Sequence, residues 1–198
     1  MPSKRSRKRA NKSTIAKKTC QVHSVYDGDT LSVEWEHSAW WGLKKDVQVV
    51  KVRLAYIDTP ELRSQEAGAQ HAKAVLEKLL AGKRVVLEYE QLSTGRPRKG
   101  DYHRVLAVVY LQRTFLPNMN INELLLKRGL ARLYSHPDNI TPYLKKRLVR
   151  AETFAKSRKL GVWRFDEHRH DDHESSRVFW HIAIGIIIGI LIGIALVE

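Results

Sequence analysis

Between Val47 and Leu54 polar and apolar side chains largely alternate, and the run ends shortly before Pro60 in Asp58-Thr59-Pro60-Glu61. A period of two marks a strand, with Val50, Val52 and Leu54 on one face and Arg53 on the other. Pro60 removes a backbone donor and holds Thr59 extended, so the chain must leave the strand where the two carboxylates sit. Asp-Thr-Pro-Glu also suits a helix start, with Asp or Thr as cap and Pro in the first turn. Residues 53–61 alone therefore fit either a bare strand-to-helix junction or one wall of a site.

Other segments carry the same period. Thr19 to Tyr26 and Leu31 to Glu36 flank Asp27-Gly28-Asp29-Thr30, a hairpin signal in which Asp29 is not required by the turn. Arg84 to Glu90 alternates, and Val105 to Leu111 is almost continuously apolar. Three segments have helical spacing instead: one running up to Gly82, Ile121 to Arg128 before Gly129, and Tyr143 to Lys159 before Gly161. This pattern predicts a mainly β fold with α, a small closed barrel of five strands with three helices.

The 198-residue chain suffices for one well-buried domain with appendages. Its net charge of +14 favours a polyanionic partner, a nucleic acid or an anionic membrane surface. Cys20 is the only cysteine, which excludes an intramolecular disulfide framework. Residues 1–18 are basic, lack acids and hold almost no large apolar side chain, so they are expected to form a disordered arm. No apolar core follows them, which excludes a secretory signal.

Residues 178–197 form an apolar run in which His181 is the only ionisable residue. As a helix such a run would be about 30 Å long, the thickness of a bilayer's hydrocarbon core. A single-pass C-terminal tail anchor is therefore expected, joined through a polar juxtamembrane linker at 165–177 to a domain at 19–164. Lys and Arg concentrated before the span put that domain on the cytoplasmic side. Gly185, Gly189 and Gly193 recur every fourth residue, a pattern that permits a homodimer through one helical face. His168, His170 and His173 in the linker match no closed tetrahedral metal spacing.

Taken jointly, the motifs are more specific than any one of them. Tyr26-Asp27-Gly28-Asp29-Thr30, Arg53-Leu54 with Asp58-Thr59-Pro60-Glu61, Asp101-Tyr102-His103-Arg104, Gly129-Leu130-Ala131 and Gly161-Val162-Trp163 follow one another in this order. From about Thr19 to Trp163 the chain resembles the staphylococcal nuclease (thermonuclease) family. That resemblance implies an OB-like five-stranded barrel with three helices and calcium-dependent hydrolysis of phosphodiesters in DNA and/or RNA. It further implies Asp29, Asp58 and the Thr59 carbonyl as ligands of Ca2+, and Glu61 as the carboxylate that directs the attacking water. Arg53 and Arg104 would clamp the phosphate, and Tyr102 and Tyr134 would lie against the nucleotide. The chemistry is coherent, because a phosphodiester repels a nucleophile until guanidinium forks or a hard cation neutralise its charge. The alternative is a non-catalytic OB-type nucleic-acid-binding module tethered to a membrane. His103 stands where the family pattern has glycine, the loop at His37 to Asp46 is longer than that pattern needs, and the one after Tyr134 is abbreviated.

Overall fold

The computed structural model describes residues 14–38, 45–62, 64–134 and 140–164. The core is a sheet whose five long strands are β1 (Thr14–Val25), β2 (Thr30–Ser38), β3 (Lys45–Leu54), β5 (Arg84–Gln91) and β6 (Val105–Leu111). Three two-residue strands complete the set: β4 (Ile57–Asp58), β7 (Met119–Asn120) and β8 (Arg132–Leu133). The order β3-β2-β1-β5-β6-β7 is closed by a parallel pairing of β3 with β6, Val52 opposite Val105 and Leu54 opposite Ala107. Closure through the last three residues of β3 gives the barrel the sequence predicts.

Alternation explains which side chains fill it. Leu31, Val33 and Trp35 from β2, Val52 and Leu54 from β3, Val85, Leu87 and Tyr89 from β5, and Val105, Ala107 and Val109 from β6 are all buried. The register of β1 against β2 shifts between Val22 and Ser24, a bulge that bends the strand where the barrel must curve.

Helices α1 (Ala69–Leu80), α2 (Ile121–Lys127) and α3 (Pro142–Ser157) cover the barrel. The Asn120 side chain caps α2 by accepting from the Glu123 N–H at 3.0 Å, and Thr141 caps α3 by accepting from the Leu144 N–H at 3.3 Å. Helices α2 and α3 are further linked by Arg147 and Glu123 at 2.5 Å.

Two boundaries differ from the sequence expectation. Strand β1 begins at Thr14 rather than Thr19, so residues 14–18 of the expected disordered arm pair with β5 from Gln91 back to Leu87. Their charge is met by tertiary partners: Lys17 pairs with Glu88 at 3.2 Å, and Lys18 lies 5.0 Å from the Trp35 ring centre. Likewise β2 and β3 run into the expected loop at His37 to Asp46, with Ser38 opposite Lys45. The rest of the arm, the linker at 165–177, the span at 178–197 and Gly185, Gly189 and Gly193 lie outside the described residues. Among the described residues no helix is long and apolar enough to cross a membrane.

Candidate active site

The ambiguity of residues 53–61 resolves in the backbone. Helix α1 starts at Ala69, well past Pro60, so Asp58-Thr59-Pro60 caps no helix; Asp58 ends β4, which pairs with β8 through Asp58 opposite Arg132. Between β3 and β4 the chain turns at Tyr56, whose φ of 68° is left-handed. This turn is pinned from three sides. The Ala55 N–H donates to the Ala107 carbonyl at 2.8 Å, the Tyr134 N–H donates to the Tyr56 carbonyl at 2.9 Å, and the Asn122 side chain donates to the Ala55 carbonyl at 2.7 Å. Asn122 is fully buried, and its carbonyl oxygen also accepts from the Val109 N–H at 2.9 Å.

Asp29 reaches the same place from the β1–β2 turn. Its backbone carbonyl accepts from the Leu54 N–H at 2.8 Å, which locks the turn to the end of β3. Gly28 is required there by space: a Cβ would stand 2.7 Å from Thr59 Oγ1 and 2.9 Å from Ala72 Cβ. The turn can therefore approach the Asp58-Thr59 segment only with glycine at this position.

The side chains then converge. Asp29, 3% exposed, receives Arg53 Nη1 at 3.0 Å on Oδ1 and 2.9 Å on Oδ2, while Arg53 Nη2 donates to Asp58 Oδ1. One guanidinium thus joins two carboxylates from different turns. Thr30 Oγ1 donates to Asp29 Oδ1 at 2.9 Å and accepts from Arg104 Nη1 at 3.5 Å, so it couples the second arginine to the group. The Thr59 N–H faces Asp29 Oδ2 at 3.5 Å. Burial pushes the Asp29 carboxyl above its ordinary value, and the Arg53 guanidinium is the largest influence in the opposite direction.

Glu61 lies three residues beyond Asp58 on the same segment. Its backbone N–H donates to Glu66 Oε2 at 3.2 Å, and its side chain is exposed. Among the described residues no three His, Cys, Asp or Glu side chains converge as a metal cage, so Glu61 does not join the two aspartates in one. Arg104 is presented by a 3-10 turn, Asp101–His103, in which Tyr102 and His103 both take left-handed φ, 55° and 57°. The position where the family pattern has glycine thus demands a glycine-like backbone, and His103 adopts it. Tyr102 is 87% exposed and lies 5.3 Å from the Arg104 guanidinium. Tyr134 directly follows β8 and is 52% exposed.

The donor set fits a hard cation. Two carboxylates face one guanidinium, which leaves one negative charge, and the oxygens of Asp29, Asp58 and the Thr59 carbonyl are the ligand type that calcium or magnesium takes. The roles of Thr30 and Asn122 and the space requirement at Gly28 are absent from the sequence reading, which names Thr30 only within a motif. Small polar residues on strands and helices carry no periodic signal, and only the contacts give them a role. A cleft of about 810 Å³ lined in part by Lys18, Trp35, Tyr89, Arg96 and Lys99 shares no residue with this constellation.

Comparison with known proteins follows the geometry. Residues 51–165 match the model of the family described as Staphylococcal nuclease homologue, a stretch that holds Arg53, Asp58, Thr59, Glu61, Tyr102, Arg104 and Tyr134 but starts after Asp29. A Haemophilus influenzae protein named an uncharacterized endonuclease is 36% identical over 147 residues, covering 74% of this chain and 67% of that protein. The thermonuclease of Staphylococcus intermedius is 33% identical over 148 residues, 72% of this chain and 74% of the relative. A probable endonuclease of Penicillium rubens is 30% identical over 169 residues, and the match covers 73% of this chain but 56% of that protein. With more than half its length matched to the family model and a barrel closed around the same motifs, the chain belongs to the staphylococcal nuclease homologue family.

Proposed function

We propose that the protein is a membrane-anchored, calcium-dependent nuclease that hydrolyses phosphodiester bonds of DNA and/or RNA. The observation that carries this reading is the convergence of Asp29, Asp58 and Arg53, coupled to Arg104 through Thr30, at one end of the barrel. The names of the relatives, endonuclease and thermonuclease, point to the same chemistry.

Arg53 and Arg104 supply planar forks for the non-bridging oxygens of the scissile phosphate, where the transition state gathers charge. Asp29, Asp58 and the Thr59 carbonyl would hold the cation. Bound there, a hard cation neutralises phosphate charge and eases deprotonation of water. Glu61 accepts the proton of the attacking water as the new P–O bond forms and an ester P–O bond breaks. Tyr102 and Tyr134 offer exposed rings to the nucleotide.

The anchor rests on the apolar run at 178–197, and the cytoplasmic placement of the domain on the Lys and Arg that precede it. Deleting residues 178–198 is expected to release the protein from sedimenting vesicles, and protease added outside sealed microsomes is expected to digest the domain.

The deciding experiment is a calcium titration of cleavage comparing wild type with Glu61→Gln. Cleavage by wild type should be chelator-sensitive, and the variant should lose about 100-fold or more in kcat with a similar calcium midpoint. Nucleic-acid binding by a folded protein that fails to cut whatever cation is added would instead identify the non-catalytic module.

A further inference from the structure

The outer face of β3 does not end its contribution at Arg53. Lys51 lies two residues earlier on that face, about 6.7 Å along the strand, a distance one extended nucleotide spans. Its ammonium sits 4.4 Å from the centre of the Tyr26 ring, and that ring is 56% exposed. Tyr26 is rigidly placed, because its N–H and that of Asp27 both donate to the Thr30 carbonyl, at 2.8 and 3.1 Å, in the turn that delivers Asp29. Lys51 forms no ion pair among the described residues. One register step away, Glu34 stands opposite Val49 and faces His23 at 3.8 Å, so a carboxylate borders the Lys51 position on the side away from Arg53.

We propose that Tyr26 and Lys51 form a subsite for the nucleotide adjoining the scissile phosphate in a single-stranded polynucleotide, a proposal that rests on the nuclease reading above. The exposed face of Tyr26 takes an unpaired base by stacking, and Lys51, on its other face, meets the phosphate one step from the pair held by Arg53. A base inside a duplex cannot present its face to the ring, so the subsite selects single strands. The Glu34 carboxylate repels a further phosphate and limits the track to one nucleotide beyond the clamp.

The test is equilibrium binding of the full chain in detergent micelles, with chelator present, to a fluorescein-labelled oligodeoxythymidine octamer and to a labelled mononucleotide. Wild type should bind the octamer more tightly, and Tyr26→Ala should cut that length advantage about tenfold while Tyr26→Phe retains it. Lys51→Gln should reduce the slope of log K against log salt for the octamer by about 0.7, the share of one phosphate on a single strand. Tyr26→Leu, which keeps bulk without a π face, replaces Tyr26→Ala if the latter melts early. An unchanged length advantage in the tyrosine variants, or an unchanged salt slope in Lys51→Gln, overturns the subsite. Binding needs no cleavage, so a wild type that shows the Tyr26 effect in chelator yet stays inert when calcium is added in a separate cleavage assay would refute the nuclease reading and leave the subsite standing.

Discussion

The β2–β3 ladder has two ends that solve opposite problems. At one, Thr30 stands opposite Arg53 and buried charge is gathered; five residues on, about 17 Å along the strand, Trp35 stands opposite Gln48. There Trp35 packs edge-on against Tyr89 with ring centres 5.2 Å apart, and Lys18 covers the indole while donating to the Glu36 carbonyl at 2.6 Å. The aromatic end borders the cleft of about 810 Å³, whereas the polar end joins two carboxylates on one guanidinium. Volume and chemistry thus sit at different ends of one ladder. The hollow reflects how large side chains pack against a loop, and the site reflects which turns are forced together.

Paired substitutions break this contrast most directly. Arg53→Gln should lower kcat of cleavage about 10³-fold with the fold intact. Trp35→Ala should cost about 3–5 kcal/mol in urea unfolding, and the fraction that stays folded should cut normally. The opposite pattern, activity lost at Trp35 and stability at Arg53, would reverse the assignment of the two ends.

Next in size is the anchor of the polar end. Asn122→Ala orphans the buried Val109 N–H and Ala55 carbonyl, at about 1–3 kcal/mol for each group. Because Ala55 starts the turn that leads to Asp58, kcat should fall together with the unfolding free energy. A stability loss without any change in cleavage would show that the turn is held by its other two bonds alone.

The aromatic end has its own titration. Burial pushes the Cys20 thiol up to about 11 from 9.0, against the pull of Lys18. A raised value means the folded state keeps the proton longer than the unfolded one. The stabilisation is therefore complete below pH 9.0 and lost as pH rises through about 11. Measured against Cys20→Ala, wild type should lose stability over that window, and its thiol should react with a disulfide reagent far more slowly folded than in urea. A flat difference across the window would place the thiol in water.

The smallest effect belongs to the turn that presents Arg104. His103→Gly removes a left-handed side-chain penalty, and the gain, offset by glycine's freedom when unfolded, should be at most about 1 kcal/mol by thermal melting. A loss would mean that the imidazole makes a contact worth more than the strain.

Much of this was open to a reading of residues alone. Alternation set which faces of β2, β3 and β5 point inward, because a pleated strand has a period of two whatever surrounds it, whereas the almost continuously apolar β6 carried no such signal. The acidic and basic positions at Asp29, Arg53, Asp58, Glu61 and Arg104 could be singled out because their order along the chain is itself a pattern. Local sequence could not extend β1 to Thr14, since a short segment ending in Lys17-Lys18 becomes a strand only when Glu88 and Trp35 stand against those two lysines. Nor could it choose between a helix cap and a strand end at Asp58, which was decided by the β8 partner Arg132 more than seventy residues away. The sequence by itself determined the faces and the chemistry on offer. Only the tertiary structure decided that Asp29 and Asp58 share one guanidinium, because long-range closure of the barrel brings separate turns together and no local preference encodes that distance.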